Sequence, residues 1–347
     1  EAHQKDLMHQ QEYGCKCMTY WIDEERETIF CLVEAPVKEA VEEMHNKSHG
    51  LMPHKIIEVQ SNVVESFLGR IYDPEQAEIS GEGLKIFEDP SFRILLVTKT
   101  TDPNLLKHTL GVEKANELLN AHINIIRKVL TQHGGREAEH EGSGFVIAFC
   151  SATKAVTCAL AIQKEMEDTF AEPLGFRIAI NAGEPVEKSN KLFGDTLQFA
   201  TNMFTIADKF QIAVACSVKE LITKDFFRST RKNFLTLPPQ DESLLESLCS
   251  KLEENWQDPD FDITDYCQSM AMSKSQLYRK TIALTGLSPN LLLKEFRLEK
   301  AKGLMKKQRY SIAQITFDSG FTSASYFTKC FKKKYGLLPM AYLDLLH

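Results

Sequence analysis

SIAQITFDSGFTSASYFTKCFKKKYG, residues 311–336, predicts two short helices joined by a tight turn. Ser311 is suited to cap the first helix, because a serine oxygen accepts a hydrogen bond from a free N–H group in the first helical turn. Gly320 supplies the turn, and Thr322 or Ser323 caps the second helix. This order of helix, turn and capped helix is that of a helix-turn-helix unit.

The same order occurs a second time, in ITDYCQSMAMSKSQLYRKTIALTG, residues 263–286. Here the turn is predicted at residues 271–272, and Ser273 caps the second helix. Residues 289–308 predict one amphipathic helix that would hold the two units at a fixed separation. We therefore expect residues 244–347 to form an all-α domain with a double helix-turn-helix.

The first turns of the two capped helices carry small and polar side chains, so they can approach a DNA major groove closely. The candidate groove contacts are Lys274, Gln276, Arg279 and Lys280 in the first unit, and Ser323, Ser325, Tyr326 and Lys329 in the second. Lys332, Lys333 and Lys334 follow, and we expect them to contact phosphates, which adds salt-dependent affinity without sequence preference.

The charge distribution supports a polyanionic partner for this end of the chain. Residues 270–347 carry 14 Lys and Arg against 4 Asp and Glu, whereas the rest carries 27 against 44. Nine cysteines, an odd number without framework spacing, predict reduced thiols and a cytoplasmic protein. The sequence contains no apolar run long enough to span a membrane, so we expect no membrane role.

The C-terminal 100 residues resemble the AraC/XylS family of regulators. The resemblance rests on MSKSQLYRK, LTGLSP, RLEKAK and SIAQITFDSGFTSASYFTKCFKKKYGLLPMAY. It implies recognition of double-stranded DNA in two successive major grooves, usually by a homodimer on direct repeats. The alternative is a helical bundle whose basic face serves protein contacts only.

Residues 92–225 alternate buried-type strands with helices, which predicts an α/β domain. Strands are expected at 93–97, 145–149, 176–183 and 211–216, and helices at 104–133, 151–168 and 194–209. This domain is similar to class III nucleotide cyclases in HGGREAEHEGSGFVIAF, ALAIQKEM, FRIAINAGEPV and LFGDTLQFATNMFTIAD. The resemblance implies a two-fold dimer.

The residues at the cyclase chemical positions argue against catalysis. Such enzymes hold two Mg²⁺ ions through two aspartates, and Lys99 and Ser143 stand at those positions. Four further positions of the catalytic apparatus are replaced as well, by Glu139, Lys191, Gln198 and Asn202. The domain is therefore expected to be an inactive cyclase homologue that mediates dimerisation or binds a small molecule, with Lys99 and Lys191 as candidate contacts to an anionic effector.

Residues 1–60 predict a hairpin at 17–33, a helix at 36–49 and a strand at 55–59. They resemble small ferredoxin-like proteins that bind nickel; the resemblance rests on YGCKCMTYWIDEERETIFCLVEAPVKEAV, HNKSHG and KIIEV. The first strand of that family is missing here, and we expect it upstream of Glu1. His45 and His49 lie four residues apart, so both imidazoles can reach one metal ion. Nickel or another transition metal is the candidate cofactor, with His3 or His9 as a third ligand; an apolar dimerisation or ligand-sensing module is the alternative.

The chain is thus expected to be a multidomain α+β protein, with a ferredoxin-like N-terminal domain, an α/β cyclase-homology domain and an all-α C-terminal domain. Residues 61–91 and 226–243 are the expected linkers. The predicted function is that of a regulator whose N-terminal domains sense a metal or small molecule and dimerise. Two alternatives remain: a DNA-tethered nucleotide cyclase, which cyclic nucleotide formation from ATP or GTP would reveal, and a metal-storage or metal-sensing protein in which DNA binding is secondary.

Overall fold

The chain folds as a multidomain α+β protein. The structure, a computed structural model, describes residues 2–79, 81, 85–87, 89–142, 144–170, 175–208, 211–230, 234–307 and 311–346. Within these ranges no helix combines the length and the apolar character that a membrane crossing requires.

The N-terminal region contains a helix, an antiparallel hairpin and a second helix. Their bounds are α1 Ala2–His9, β1 Lys16–Asp23, β2 Thr28–Glu34 and α2 Lys38–Ser48. The hairpin and α2 confirm the predicted elements. The strand predicted at 55–59 is wrong, because these residues belong to no sheet of the described chain. Of the expected ferredoxin-like pattern, the described residues therefore contain the hairpin and its following helix.

The segment from 61 to 91 packs against its neighbours and is more than a connection. It contains α3 Ser61–Leu68, β3 Glu78–Ile79 and β4 Lys85–Ile86. Trp21 of β1 and Phe67 of α3 are buried in one cluster with Leu95 and Phe193 of the middle domain. The N-terminal hairpin is consequently attached to the middle domain through a shared apolar core.

The middle domain is built around a six-stranded mixed sheet. Its elements are β5 Arg93–Lys99, α4 Pro103–Leu110, α5 Val112–Gln132, β6 Arg136–Glu141, β7 Gly144–Phe149, α6 Ala152–Thr169, β8 Arg177–Gly183, α7 Gly194–Met203, β9 Ile212–Val214, α8 Cys216–Glu220, α9 Lys224–Thr230 and β10 Phe234–Leu235. The strand order is β10-β9-β8-β5-β7-β6, with β9 parallel to both of its neighbours. Helices α5 and α6 cover one face of the sheet, and α7 covers the other.

Two features of this domain differ from the prediction. The helix expected at 104–133 is two helices, because Gly111 adopts φ 83° and breaks the helical path. Strand β6 was not predicted: its sequence REAEHE is polar, since it lies at the sheet edge and has no buried residue. Polar edge strands lack the apolar alternation on which strand prediction depends.

The C-terminal region is entirely helical in its described residues. The helices are α10 Pro239–Asn255, α11 Ile263–Ser269, α12 Lys274–Thr285, α13 Pro289–Lys307, α14 Ile312–Asp318, α15 Ala324–Tyr335 and α16 Pro339–Asp344. The pairs α11–α12 and α14–α15 are the two predicted helix-turn-helix units, joined by α13. Helix α10 begins inside the predicted linker 226–243, with Pro239 in its first turn.

Candidate nucleic-acid interface and metal cluster

The start of α12 is fixed by a reciprocal capping box. The Ser273 hydroxyl accepts a hydrogen bond from the Gln276 backbone N at 3.3 Å, and the Gln276 side chain accepts one from the Ser273 backbone N at 3.0 Å. Ala271 in the preceding turn has φ 50°, which reverses the chain between the two helices. The first turn of α12 is thereby held in place before any ligand binds.

Helix α12 buries one side and exposes the other. Leu277 and Thr281 are fully buried against the rest of the first unit. The opposite side is exposed and carries the four predicted groove contacts, Lys274, Gln276, Arg279 and Lys280. The structure therefore brings these four side chains to one accessible surface, although Gln276 is partly committed to the cap.

Helix α15 repeats this arrangement in the second unit. Ser323, not Thr322, caps the helix, and its hydroxyl accepts a hydrogen bond from the Tyr326 backbone N at 3.4 Å. Phe327 and Phe331 are fully buried, which orients the helix. The predicted contacts are all exposed, namely Ser323, Ser325, Tyr326, Lys329 and Lys332.

Most cations on α12 and α15 differ from those on α13 in their pairing. Among the ion pairs between described residues, none involves Lys274, Arg279 or Lys280, or Lys329 or Lys332. On the connecting helix, by contrast, four cations are engaged by protein acceptors: Arg297, Lys300, Lys302 and Lys306.

Three pairings show this contrast. Arg297 donates to the Trp256 and Asp258 carbonyl oxygens, Lys300 pairs with Glu253, and Lys302 pairs with Glu299. Lys334, expected to contact phosphate, instead pairs with Glu295 at 2.8 Å. Lys334 is thus an exception on α15, whereas the five cations named above stay exposed and outside the ion pairs of the described residues.

A second cluster lies between α1 and α2. The Asp6 Oδ1 atom is 3.3 Å from His45 Nδ1 and 3.1 Å from His49 Nε2, and these two nitrogens are 3.2 Å apart. Ligand atoms around one metal ion with bonds of 2.0–2.1 Å lie about 2.9 to 3.4 Å from each other, so this spacing suits a shared ion. Asp6 Oδ1 is also buried, and within the part of the chain that the structure describes it has no hydrogen-bond partner, which is consistent with a metal ligand.

The third member of this cluster is Asp6, which sequence reasoning missed. His9 instead pairs with Glu12 at 3.2 Å, and the His3 ring packs on Tyr20 at 4.7 Å between centroids. Residues 3, 6 and 9 are each three apart on α1 and share one face, so helical spacing alone cannot choose between them.

The cluster perturbs the acid–base behaviour of the groups around it. Burial alone raises the pKa of Asp6, but the interactions with the nearby His45 and His49 rings outweigh it, and the pKa is lowered. Burial, together with the Asp6 charge, raises the pKa of Cys17 to about 12 and that of Cys31 likewise to about 12. Without a metal ion both sulfurs are therefore protonated thiols at neutral pH.

The middle-domain residues at the cyclase positions contact each other or the C-terminal domain. Lys99 Nζ lies 3.8 Å from Glu299 of α13, and Gln198 donates a hydrogen bond to Asn202 at 3.0 Å. The side chains of Glu139 and Lys191 are exposed. Ser143 lies outside the described residues, so its expected place at a metal position stays a prediction.

Known proteins match three separate segments of the chain. Residues 266–344 match a family model described as a helix-turn-helix domain, and residues 1–59 match one described as nickel responsive protein SCO4226-like. Histidine kinase P4 of Formosa agariphila is 34% identical over 108 residues, 31% of this chain. The transcriptional regulator MtrA of Neisseria gonorrhoeae is 31% identical over 28% of the chain, and putative adenylate cyclase 3 of Rhizobium meliloti is 28% identical over 33%.

These matches confirm the three resemblances drawn from the sequence, each for its own segment. The chain spans only 8%, 31% and 19% of the length of those three proteins. The likeness therefore concerns single domains, and it does not extend to whole proteins.

Proposed function

We propose that this chain, which carries an AraC-type helix-turn-helix domain at its C-terminus, is a cytoplasmic transcription regulator that binds specific double-stranded DNA. The observation that carries the proposal is the pair of serine-capped helices, α12 and α15, with exposed polar first turns and unpaired cations. The capped N-termini present free backbone N–H groups and side chains to base edges, and the lysines further along contact phosphates.

Arg279 provides the sharpest test of this proposal, because guanidinium groups bind guanine edges in a bidentate manner. Arg279→Ala is expected to reduce the discrimination between an operator selected from genomic fragments and scrambled DNA by roughly 1 to 3 kcal/mol. Fluorescence anisotropy titrations of the full chain on both DNAs measure it.

Arg127→Ala is the matched control, since Arg127 is an exposed arginine of the middle domain that pairs with Glu137. Its removal should leave both DNA affinities unchanged. Equal losses on both DNAs for Arg279→Ala would assign this residue to phosphate contact. No preference of the unaltered chain for any fragment would contradict the proposal itself.

We further propose that the chain acts as a homodimer through its middle domain, and that this domain has no catalytic role. Lys99 supports the second point: an ammonium group repels Mg²⁺, and this one already faces a carboxylate of the DNA-binding domain. A two-fold dimer would supply the two DNA-binding domains that a repeated operator requires. An anionic effector at Lys99 and Lys191 remains part of this proposal.

The N-terminal cluster is proposed to bind the signal, nickel or another late transition metal. Asp6, His45 and His49 would supply one oxygen and two nitrogen ligands, a mixture that suits such ions. In the present structure the His49 Nδ1 atom accepts a hydrogen bond from the Leu51 backbone N at 3.0 Å. A metal at Nε2 would place the ring proton on Nδ1, so this bond would break and the chain at Leu51 would respond to metal.

Removal of a ligand should therefore weaken metal binding. We expect His49→Ala and Asp6→Asn each to lower the Ni²⁺ affinity of the full chain by more than about tenfold, measured by titration calorimetry. His54→Ala, an exposed histidine outside the cluster, is the matched control and should have no effect. Addition of Ni²⁺ should accelerate amide exchange at Leu51 in the unaltered chain but not in the two ligand variants. If both His49→Ala and Asp6→Asn kept the Ni²⁺ affinity of the unaltered chain, the metal would not bind at this cluster.

A further inference from the structure

The middle domain and the DNA-binding domain meet first at α10, which belongs to two apolar cores. Leu245 and Cys249 of this helix are buried against α7 and the sheet of the middle domain. Leu248 and Leu252 are buried in the first helix-turn-helix unit, and the Tyr266 hydroxyl donates to the Leu248 carbonyl at 3.0 Å. Burial of apolar surface of this kind is difficult to reverse locally, so the first unit is firmly attached.

The second contact joins the middle domain to the second unit and is polar. Asp102, which follows β5 and caps α4 by accepting a hydrogen bond from the Asn104 backbone N at 3.0 Å, is its centre. The other carboxylate oxygen accepts a hydrogen bond from the buried Tyr342 hydroxyl at 2.9 Å. The ammonium groups of Lys302 and Lys306 lie 3.5 and 3.7 Å from the same oxygen.

A second acidic group, on the other side of the boundary, extends this contact. Glu299 of α13 faces Lys99 of the middle domain, and it also lies 3.4 Å from the ammonium groups of both Lys302 and Lys334. The Tyr335 hydroxyl donates to it at 3.1 Å. Burial raises the pKa of Glu299, but the surrounding ammonium groups outweigh burial and lower it, so the carboxylate stays charged.

The two contacts differ in how easily they open. Charged groups that leave this boundary regain hydration, which offsets most of the attraction that they lose. Leu105 of α4 adds only a partly buried apolar contact to the core of the second unit. The second contact can therefore separate while the apolar attachment through α10 persists.

We propose that Asp102, Tyr342, Lys99 and Glu299, with the lysines around them, form an interdomain latch. When closed, it fixes the second helix-turn-helix unit against the turn between β5 and α4. When open, the DNA-binding domain is held through α10 and the partly buried Leu284 of α12, which packs on the same core, and it can change its orientation relative to the middle domain. A signal that displaces the turn after β5 is thereby transmitted to the DNA-binding domain, whatever the identity of that signal.

The test compares both sides of the contact in the full chain by hydrogen–deuterium exchange. Asp102→Asn keeps the α4 cap, because asparagine caps helices as well as aspartate does, and it removes the charge that faces the lysines. Tyr342→Phe removes the hydroxyl and keeps the ring in its core. Each variant is expected to accelerate amide exchange in both α4 and α16 by roughly threefold to tenfold, and to leave α11 and α12 unchanged.

The double variant should exchange no faster than the faster of the two single variants, because both substitutions remove the same contact and their effects are therefore not additive. Asp168→Asn and Tyr72→Phe, exposed residues of the same types, are the controls. The latch is refuted if Asp102→Asn affects α4 alone, since Asp102 would then act only as a cap. Acceleration across both units, or none in α16 with Tyr342→Phe, would refute it as well.

Discussion

Gly320→Ala is expected to lower the free energy of unfolding of the DNA-binding region by roughly 2 to 5 kcal/mol and to abolish specific DNA binding. Gly320 forms the turn between α14 and α15 with φ 75°, a conformation that costs an alanine about 1 to 2 kcal/mol. A Cβ atom there would also collide with the Trp256 carbonyl oxygen and would lie 2.7 Å from Arg297 Nε. Arg297 donates to the same carbonyl, so neither neighbour can yield without losing this bond.

Gly336→Ala separates the two causes of this effect. Gly336 ends α15 with φ 83°, but a Cβ atom there meets nothing within 4 Å. This control should show only the loss in the free energy of unfolding that comes from the positive φ. Urea unfolding of both variants then gives the additional loss caused by the steric clash at residue 320. If both variants lose the same stability, the close approach of Trp256 and Arg297 has no energetic consequence.

His122→Leu is expected to remove a large part of the acid sensitivity of the chain. His122 of α5 is 1% exposed, its Nε2 atom has no hydrogen-bond partner among the described residues, and its ring lies 5.0 Å from that of Phe176. Burial lowers its pKa from 6.5 to about 4. Below pH 6.5 the His122 side chain therefore binds a proton in the unfolded chain but not in the folded chain. The free energy of unfolding consequently falls by about 3 kcal/mol between pH 6.5 and pH 4.

The measurement is urea unfolding at several pH values between 4 and 7.5. The stability of the leucine variant relative to the unaltered chain should rise as the pH falls through this window and should be constant above about pH 7. His108→Leu, at an exposed position of α4, is the control and should show no such slope. Parallel stability curves for His122→Leu and the unaltered chain would contradict the assignment.

The elements with strong apolar periodicity or capping residues were predictable from the sequence. The serine caps at 273, 311 and 323, the glycine turn at 320 and the central strands all follow from local chemistry, and the structure confirms them. Two strand predictions failed for a common physical reason. Strand β6 was missed because its sequence is polar, as suits a strand at the sheet edge. A strand was wrongly predicted at 55–59 from three apolar side chains, although no described strand pairs with these residues. In both, tertiary position and not local pattern decides the outcome.

The candidate sites divide in the same way. The exposed faces of α12 and α15 follow from helical periodicity, so the exposed position of their candidate DNA-contact residues could be predicted, while the contacts themselves stay a prediction. Asp6 could not be chosen, because its position next to His45 and His49, which are 39 and 43 residues further along the chain, depends on how α1 packs against α2. The pairing of Lys334 with Glu295 and of Lys99 with Glu299 is likewise a property of tertiary contacts that sequence spacing does not encode.

Helix α10 has a consequence for how chains of this type can be recombined. A cut at residue 244, just after the predicted linker, would divide one continuous helix and leave Leu245 and Cys249 as an apolar stripe facing water. A DNA-reading module transplanted onto another sensor would have to bring this whole helix, and its new host would have to provide a complementary groove. The shared helix therefore restricts which domains can be joined to this one without exposing apolar surface.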